Sequence, residues 1–104
     1  IPRLKDYSRI ERIQYNDGIL ETCDKLLEKI PLECPCNIQF KYLDDTPFLL
    51  EVNTRMSGGV HLSCAATGVN ISDIALNKLL GKEKPWHLER KEVSVTHAEM
   101  PVVL

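Results

Sequence analysis

The sequence predicts an α+β fold, an antiparallel β-sheet with two main helices packed on one face. Three observations predict it. Residues 37–43 (NIQFKYL) and 47–53 (PFLLEVN) are rich in β-branched and aromatic side chains and flank a short polar turn, the pattern of a hairpin. Residues 18–30 carry Ile19, Cys23, Leu26, Leu27 and Ile30 at helical spacing, with Glu21, Asp24, Lys25 and Glu28 outside the stripe. A second helical stripe of Ile71, Ile74, Ala75 and Leu79 follows farther on.

Each element has its own local reason. Residues 7–15 (YSRIERIQY) alternate roughly between apolar and polar and read as a strand. Asn16-Asp17-Gly18 is a turn and a helix start, and Pro31 stops the helix that follows. Asp44-Asp45-Thr46 forms the hairpin turn. The glycines of residues 54–60 (TRMSGGV) make that stretch a loop. Residues 61–67 suit one or two helical turns closed by Gly68. Asn70 or Ser72 caps the next helix, and Gly81 ends it. A charged stretch at 82–92 leads to Val93–Val95 and Val102–Leu104, an edge strand and a tail.

The 104 residues suffice for one small domain with one core. A net charge of −2 gives no electrostatic basis for binding nucleic acid or an anionic membrane. No apolar run approaches the roughly 20 residues a spanning helix needs, and no signal peptide is visible. The first residue is Ile1 rather than Met, so the expectation is a piece of a longer chain. The four cysteines are Cys23, Cys34, Cys36 and Cys64. Cys23 lies in a helical stripe and Cys64 among small residues, where each serves as a small buried hydrophobe. Cys34, Cys36, His61 and Cys64 form a minor zinc-module alternative, with Cys34 and Cys36 one residue closer than the usual zinc spacing. Free thiols indicate a reducing, cytoplasmic setting.

The chemistry concentrates on the hairpin. With an odd, three-residue turn, Leu43 pairs Pro47, Lys41 pairs Leu49 and Gln39 pairs Glu51. Ile38, Phe40, Tyr42, Phe48, Leu50 and Val52 then share an apolar face. A two-residue turn would slip the register and separate Gln39 from Glu51, so burial favours the odd turn. The opposite face gathers Gln39, Glu51 and Asn53, whose carboxylate and amide oxygens suit a hard cation such as Mg²⁺. Arg55 adds a fork-shaped cation for a phosphate. Ser57, Gly58 and Gly59 let backbone N–H groups approach an anion. The same residues also fit a partly solvated sheet face followed by an ordinary turn.

Three segments carry a family resemblance. Glu51-Val52-Asn53-Thr54-Arg55-Met56-Ser57-Gly58-Gly59 resembles the E-[IV]-N-P-R-x-S-G-G signature of ATP-grasp enzymes. Asn37-Ile38-Gln39-Phe40 resembles the N-[IV]-Q strand before it. Ala65-Ala66-Thr67-Gly68-Val69-Asn70 is similar to the A-x-G-[VI]-[NP] segment after it. Together they cover residues 37–80, and the likeness is to the carbamoyl-phosphate synthetase large-chain group. Thr54 departs from the family's proline, which coordinates nothing.

The resemblance implies roles. Glu51 would bridge two magnesium (or manganese) ions, Asn53 would ligate one, and Gln39 would supply a further ligand. Arg55 would contact phosphate or the acyl-phosphate intermediate as the catalytic cation, with Ser57 and Gly58 beside the nucleotide's phosphates. Residues 1–104 would be one domain, the C-terminal portion of an ATP-grasp domain whose N-terminal nucleotide-binding lobe is missing. The complete protein would use ATP and a carboxylate substrate, with no nucleic acid or membrane partner and a homo-oligomer possible. The alternative is a non-catalytic ATP-grasp remnant that serves as a binding or oligomerisation module.

Overall fold

The computed structural model describes residues 10–97 and 101–104. In chain order the elements are β1 (Glu11–Ile13), α1 (Asp17–Lys29), β2 (Asn37–Leu43), β3 (Thr46–Asn53), α2 (Val60–Thr67), α3 (Ile71–Leu79) and β4 (Val93–Val95). The fold is α+β with antiparallel strands. The strands divide into two pairs, β1 with β4 and β2 with β3. The one or two turns expected before Gly68 are realised as a third helix, α2, of eight residues. The strand expected over residues 7–15 is realised as β1, and its first three residues lie outside the described residues.

Local chemistry sets the helix ends. Asn16 caps α1, its Oδ1 accepting from the Ile19 N–H at 3.1 Å, and Asp17 places negative charge in the first turn. Asn70 caps α3 in the same way by accepting from the Asp73 N–H at 3.1 Å. Gly68 ends α2 in the left-handed region at φ 73°, and its N–H donates to the Cys64 carbonyl at 2.9 Å. A side chain would be strained there, which is why glycine closes this helix.

The core sits where α2 packs over β1 and β4. Leu62 of α2, 4% exposed, is the buried hydrophobic side chain among the described residues. Alternation on β1 and β4 turns Glu11, Ile13, Val93 and Val95 toward this helix and leaves Arg12 and Ser94 exposed.

The hairpin is covered far less. Ile38 and Phe40 are half-buried, but Leu50 is 60% exposed and Val52 and Phe48 are exposed as well. This corrects the expectation that one hairpin face is buried core. An apolar face remains around Ile38, Phe40, Tyr42, Leu49 and Val52, yet few of the described residues lie against it. Helix α1 stands off β3 across an open gap of about 230 Å³ lined by Leu26, Leu27, Ile30, Leu32, Val52 and Thr54. The radius of gyration, 16.4 Å, exceeds the ~13 Å of a compact chain of this length.

Candidate functional site

The hairpin turn differs from the expected one. Leu43 pairs Thr46, which leaves a two-residue turn of Asp44 and Asp45. Both have positive φ, 49° and 59°, as a type I′ turn requires. Such a turn pairs Tyr42 with Pro47, Lys41 with Phe48 and Phe40 with Leu49. Carried on without interruption, that register would separate Gln39 from Glu51. A bulge between Gln39 and Phe40 prevents this, because Leu50 is the extra residue on β3. Beyond it Gln39 pairs Glu51, Ile38 pairs Val52 and Asn37 pairs Asn53. The odd-turn reasoning therefore gave the wrong turn, and the pairing it was meant to secure is restored by the bulge. Phe48 moves to the Lys41 face as a result.

Four polar side chains now share one face at the open end of the hairpin: Gln39, Glu51, Asn53 and Asn37. The Asn53 Nδ2 donates to Glu51 Oε1 at 2.8 Å. That bond fixes the carboxylate relative to the amide and leaves the Asn53 Oδ1 as an acceptor. Glu51 is exposed and Asn53 half-buried, so the pair faces outward from a partly fixed base. Asn37 was not singled out as a site residue beforehand. Its signal was the i, i+2 spacing to Gln39, which puts both on one face.

Past the strand, the chain bends through Thr54 and Arg55 into the glycine loop. The exposed Arg55 donates from Nη1 to the Met56 carbonyl at 3.1 Å. The Met56 Sδ in turn accepts from the Ser72 Oγ at 3.3 Å, tying the loop to α3. Ser57 is half-buried and Gly58 exposed. The Ser57 carbonyl accepts from the Val60 N–H at 3.2 Å, so the loop turns directly into α2. The structure thus brings Gln39, Glu51 and Asn53 together and sets Arg55, Ser57 and Gly58 in the segment immediately after them.

As donors for a cation, one carboxylate and neighbouring amide oxygens fit magnesium. That ion takes few protein oxygens and completes its octahedron with phosphate and water. Among the described residues no three His, Cys, Asp or Glu side chains gather as metal ligands, so the zinc-module alternative finds no support. All four cysteines are unpaired. Burial raises the Cys23 thiol pKa, and neighbouring Asp24 and Cys36 push it the same way.

The Glu-x-Asn of the hairpin, the arginine after it and the serine-glycine-glycine entry to α2 are the segments that carry the resemblance to ATP-grasp enzymes. The chain belongs to the ATP-grasp family described as "ATP-grasp in the biosynthetic pathway with Ter operon", which it matches over residues 1–101. It is also 35% identical, over 65 residues, to a carbamoyl phosphate synthase large chain of Caldanaerobacter subterraneus subsp. tengcongensis. That match covers 62% of this chain and 6% of the relative, so the chain spans a small fraction of the relative's length. No solved structure matches. Among the described residues no helix is long and apolar enough to cross a membrane.

Proposed function

We propose that this chain is the part of an ATP-dependent carboxylate ligase that holds magnesium against the phosphates of ATP, with Glu51, Asn53 and Gln39 as its oxygen donors. One observation supports the reading above the others. The hairpin turn alone would pull Gln39 and Glu51 to opposite faces, and a bulge at Leu50 brings them back to one pair. Bulges re-aim side chains next to functional sites. The same bulge pairs Ile38 with Val52 on the apolar side, and on the polar side it assembles the three oxygen-bearing side chains that the reading needs.

The roles follow from the chemistry of each group. Glu51 supplies the anionic oxygen, and the amide of Asn53 holds that carboxylate in place. Gln39, directly across the ladder, adds a neutral oxygen. Arg55 carries the planar guanidinium that pairs with phosphate oxygens in a fork. Ser57 and Gly58 offer backbone N–H groups where the chain is open to a close approach. Magnesium, or manganese in its place, would neutralise charge on the transferring phosphoryl group. The reaction of the whole protein would form an acyl phosphate from a carboxylate and release phosphate when a nucleophile attacks. The adenine pocket and glycine-rich lid would come from an N-terminal lobe, with residues 1–104 as the C-terminal portion of that domain. A cytoplasmic setting suits the unpaired thiols.

The test is Glu51→Gln in the full-length protein. It keeps the shape and removes the charge. Magnesium-dependent ATP turnover should fall by more than the roughly 10–100-fold typical of losing a residue that only supports a metal ligand, while thermal melting stays close to wild type because Glu51 is exposed. Arg55→Lys keeps the charge and loses the fork, so it should reduce turnover less and leave folding intact. Near-normal turnover and magnesium dependence in Glu51→Gln would rule out the assignment.

A further inference from the structure

Helix α2 differs from its neighbours at its start. Helices α1 and α3 each have an asparagine cap and an acidic residue in the first turn. Helix α2 begins at Gly59 with no side-chain cap, and its first turn holds no acidic residue. Its start is held by backbone carbonyls, the Val60 N–H donating to Ser57 and the Leu62 N–H to Gly59, with no side-chain oxygen of the cap residue on it. A carboxylate from a distant strand lies there instead. Glu11 of β1 is packed so closely on Gly59 that a Cβ added to the glycine would overlap its Oε1 and stand 3.1 Å from both Cδ and Oε2. Gly59 is buried at this contact, although its φ of −94° is open to any residue. Glycine leaves room for the carboxylate here; a methyl group would have to turn the end of the Glu11 side chain aside.

We propose that Glu11 is a positioning residue for the phosphate-facing loop: its carboxylate stands at the start of α2 and fixes Ser57-Gly58-Gly59 relative to Glu51 and Asn53. The physical basis is threefold. A negative charge at a helix N-terminus is favourable, through the positive end of the helix dipole. The contact ties β1, which is packed under α2, to the loop that follows β3 directly. It also puts a negative charge where the α2 start could otherwise receive an anion. A nucleotide phosphate is then left to Arg55 and to the Ser57 and Gly58 side of the loop. The loop role rests on the reading given under Proposed function; the contact itself does not.

The experiment separates the two. In the full-length protein, Gly59→Ala should push the Glu11 carboxylate off the start of α2 and lower the melting temperature by what that placement contributes, since the overlap itself is relieved by turning a flexible side chain. In a Glu11→Ala background the same change should cost much less, since the space has been vacated. Costs that simply add would overturn the proposal. For the positioning role, Glu11→Gln should raise the magnesium concentration for half-maximal ATP turnover and lower kcat about tenfold. Glu11→Asp should recover part of the loss. Amide resonances of Gly58, Gly59 and His61 should shift in Glu11→Gln, while those of α3 stay in place. Unchanged loop resonances would overturn the proposal, as would unchanged magnesium dependence in an active protein. If the wild-type protein shows no ATP turnover, the ligase reading fails, and the melting cycle with the loop resonances still decides whether Glu11 sets the loop.

Discussion

The two strand pairs of this chain are finished to different degrees. Around β1 and β4, helix α2 closes over the sheet and buries Leu62 to 4% exposure. Around β2 and β3 the polar face is organised, with Gln39 opposite Glu51 and Asn53 bonded to it, while Leu50 on the same hairpin remains 60% exposed. The packed pair resembles a small core. The hairpin resembles half of one, with its polar side chains set and most of its apolar residues exposed among the described residues. The part that carries the site thus depends least on burial within these residues, and the part that is buried lies beside the loop the site needs.

The strongest way to break that contrast is to remove one side chain from each region. Leu62→Ala should cost about 3 kcal/mol, as buried leucine truncations do. Leu50→Ala in this chain should cost less than about 1 kcal/mol, in keeping with an exposed position. Denaturant unfolding of both variants measures the difference. Equal costs would mean that the hairpin is covered as well as α2. Repeating the pair in a longer protein sharpens the comparison. If an additional lobe lies on the hairpin, the cost of Leu50→Ala should climb toward that of Leu62→Ala.

Thiol reactivity gives a second, kinetic contrast. Cys34 is exposed, whereas Cys23 is half-buried in the α1 stripe and its pKa is raised by burial, then by Asp24 and Cys36. A raised thiol pKa means less thiolate at a given pH, and the thiolate is the reactive form. Alkylation at pH 8 should therefore label Cys34 first and Cys23 several-fold more slowly, with the difference vanishing in urea. Mass spectrometry of tryptic peptides over time measures it. Equal rates in the folded chain would show that α1 does not shield its stripe.

What could be read in advance follows a physical boundary. The hairpin strands, both helix stripes and the Gly68 stop are all local, and each was visible in spacing or in one residue's chemistry, while the cap of α3 was narrowed to Asn70 or Ser72 and is Asn70. The turn was misjudged because Asp44-Asp45 lacks the glycine that usually marks type I′, so a three-residue turn gave the better burial. The bulge was invisible because Leu49 and Leu50 are both leucine, and alternation cannot show which is extra. Glu11 was missed for another reason. Its contact with Gly59 joins distant parts of the chain, and no local pattern in either segment announces it.

The smallest expected effect lies at the turn and tests the register directly. Asp44 and Asp45 hold φ values of 49° and 59°, where a Cβ is crowded by the carbonyl oxygen. Aspartate tolerates this region better than most residues, yet glycine carries no such penalty. Asp45→Gly should relieve strain of roughly 1 kcal/mol or slightly more. It should also give back roughly half of that through the greater freedom of glycine in the unfolded chain. Losing one of two adjacent negative charges adds a little more. The net gain should be a few tenths of a kcal/mol to about 1 kcal/mol, a rise of a few degrees in melting temperature. Asp44→Asn with Asp45→Gly gives the pair that type I′ turns prefer and should do slightly better. Because the bulge sits several residues away, the pairing of Gln39 with Glu51 should persist, and cross-strand contacts between their backbones by NMR would show it. A three-residue turn with Leu43 opposite Pro47 would instead place Thr46 inside the loop and remove the need for positive φ at Asp45. Asp45→Gly would then destabilise the hairpin, and the two-residue turn together with its compensating bulge would have to be given up.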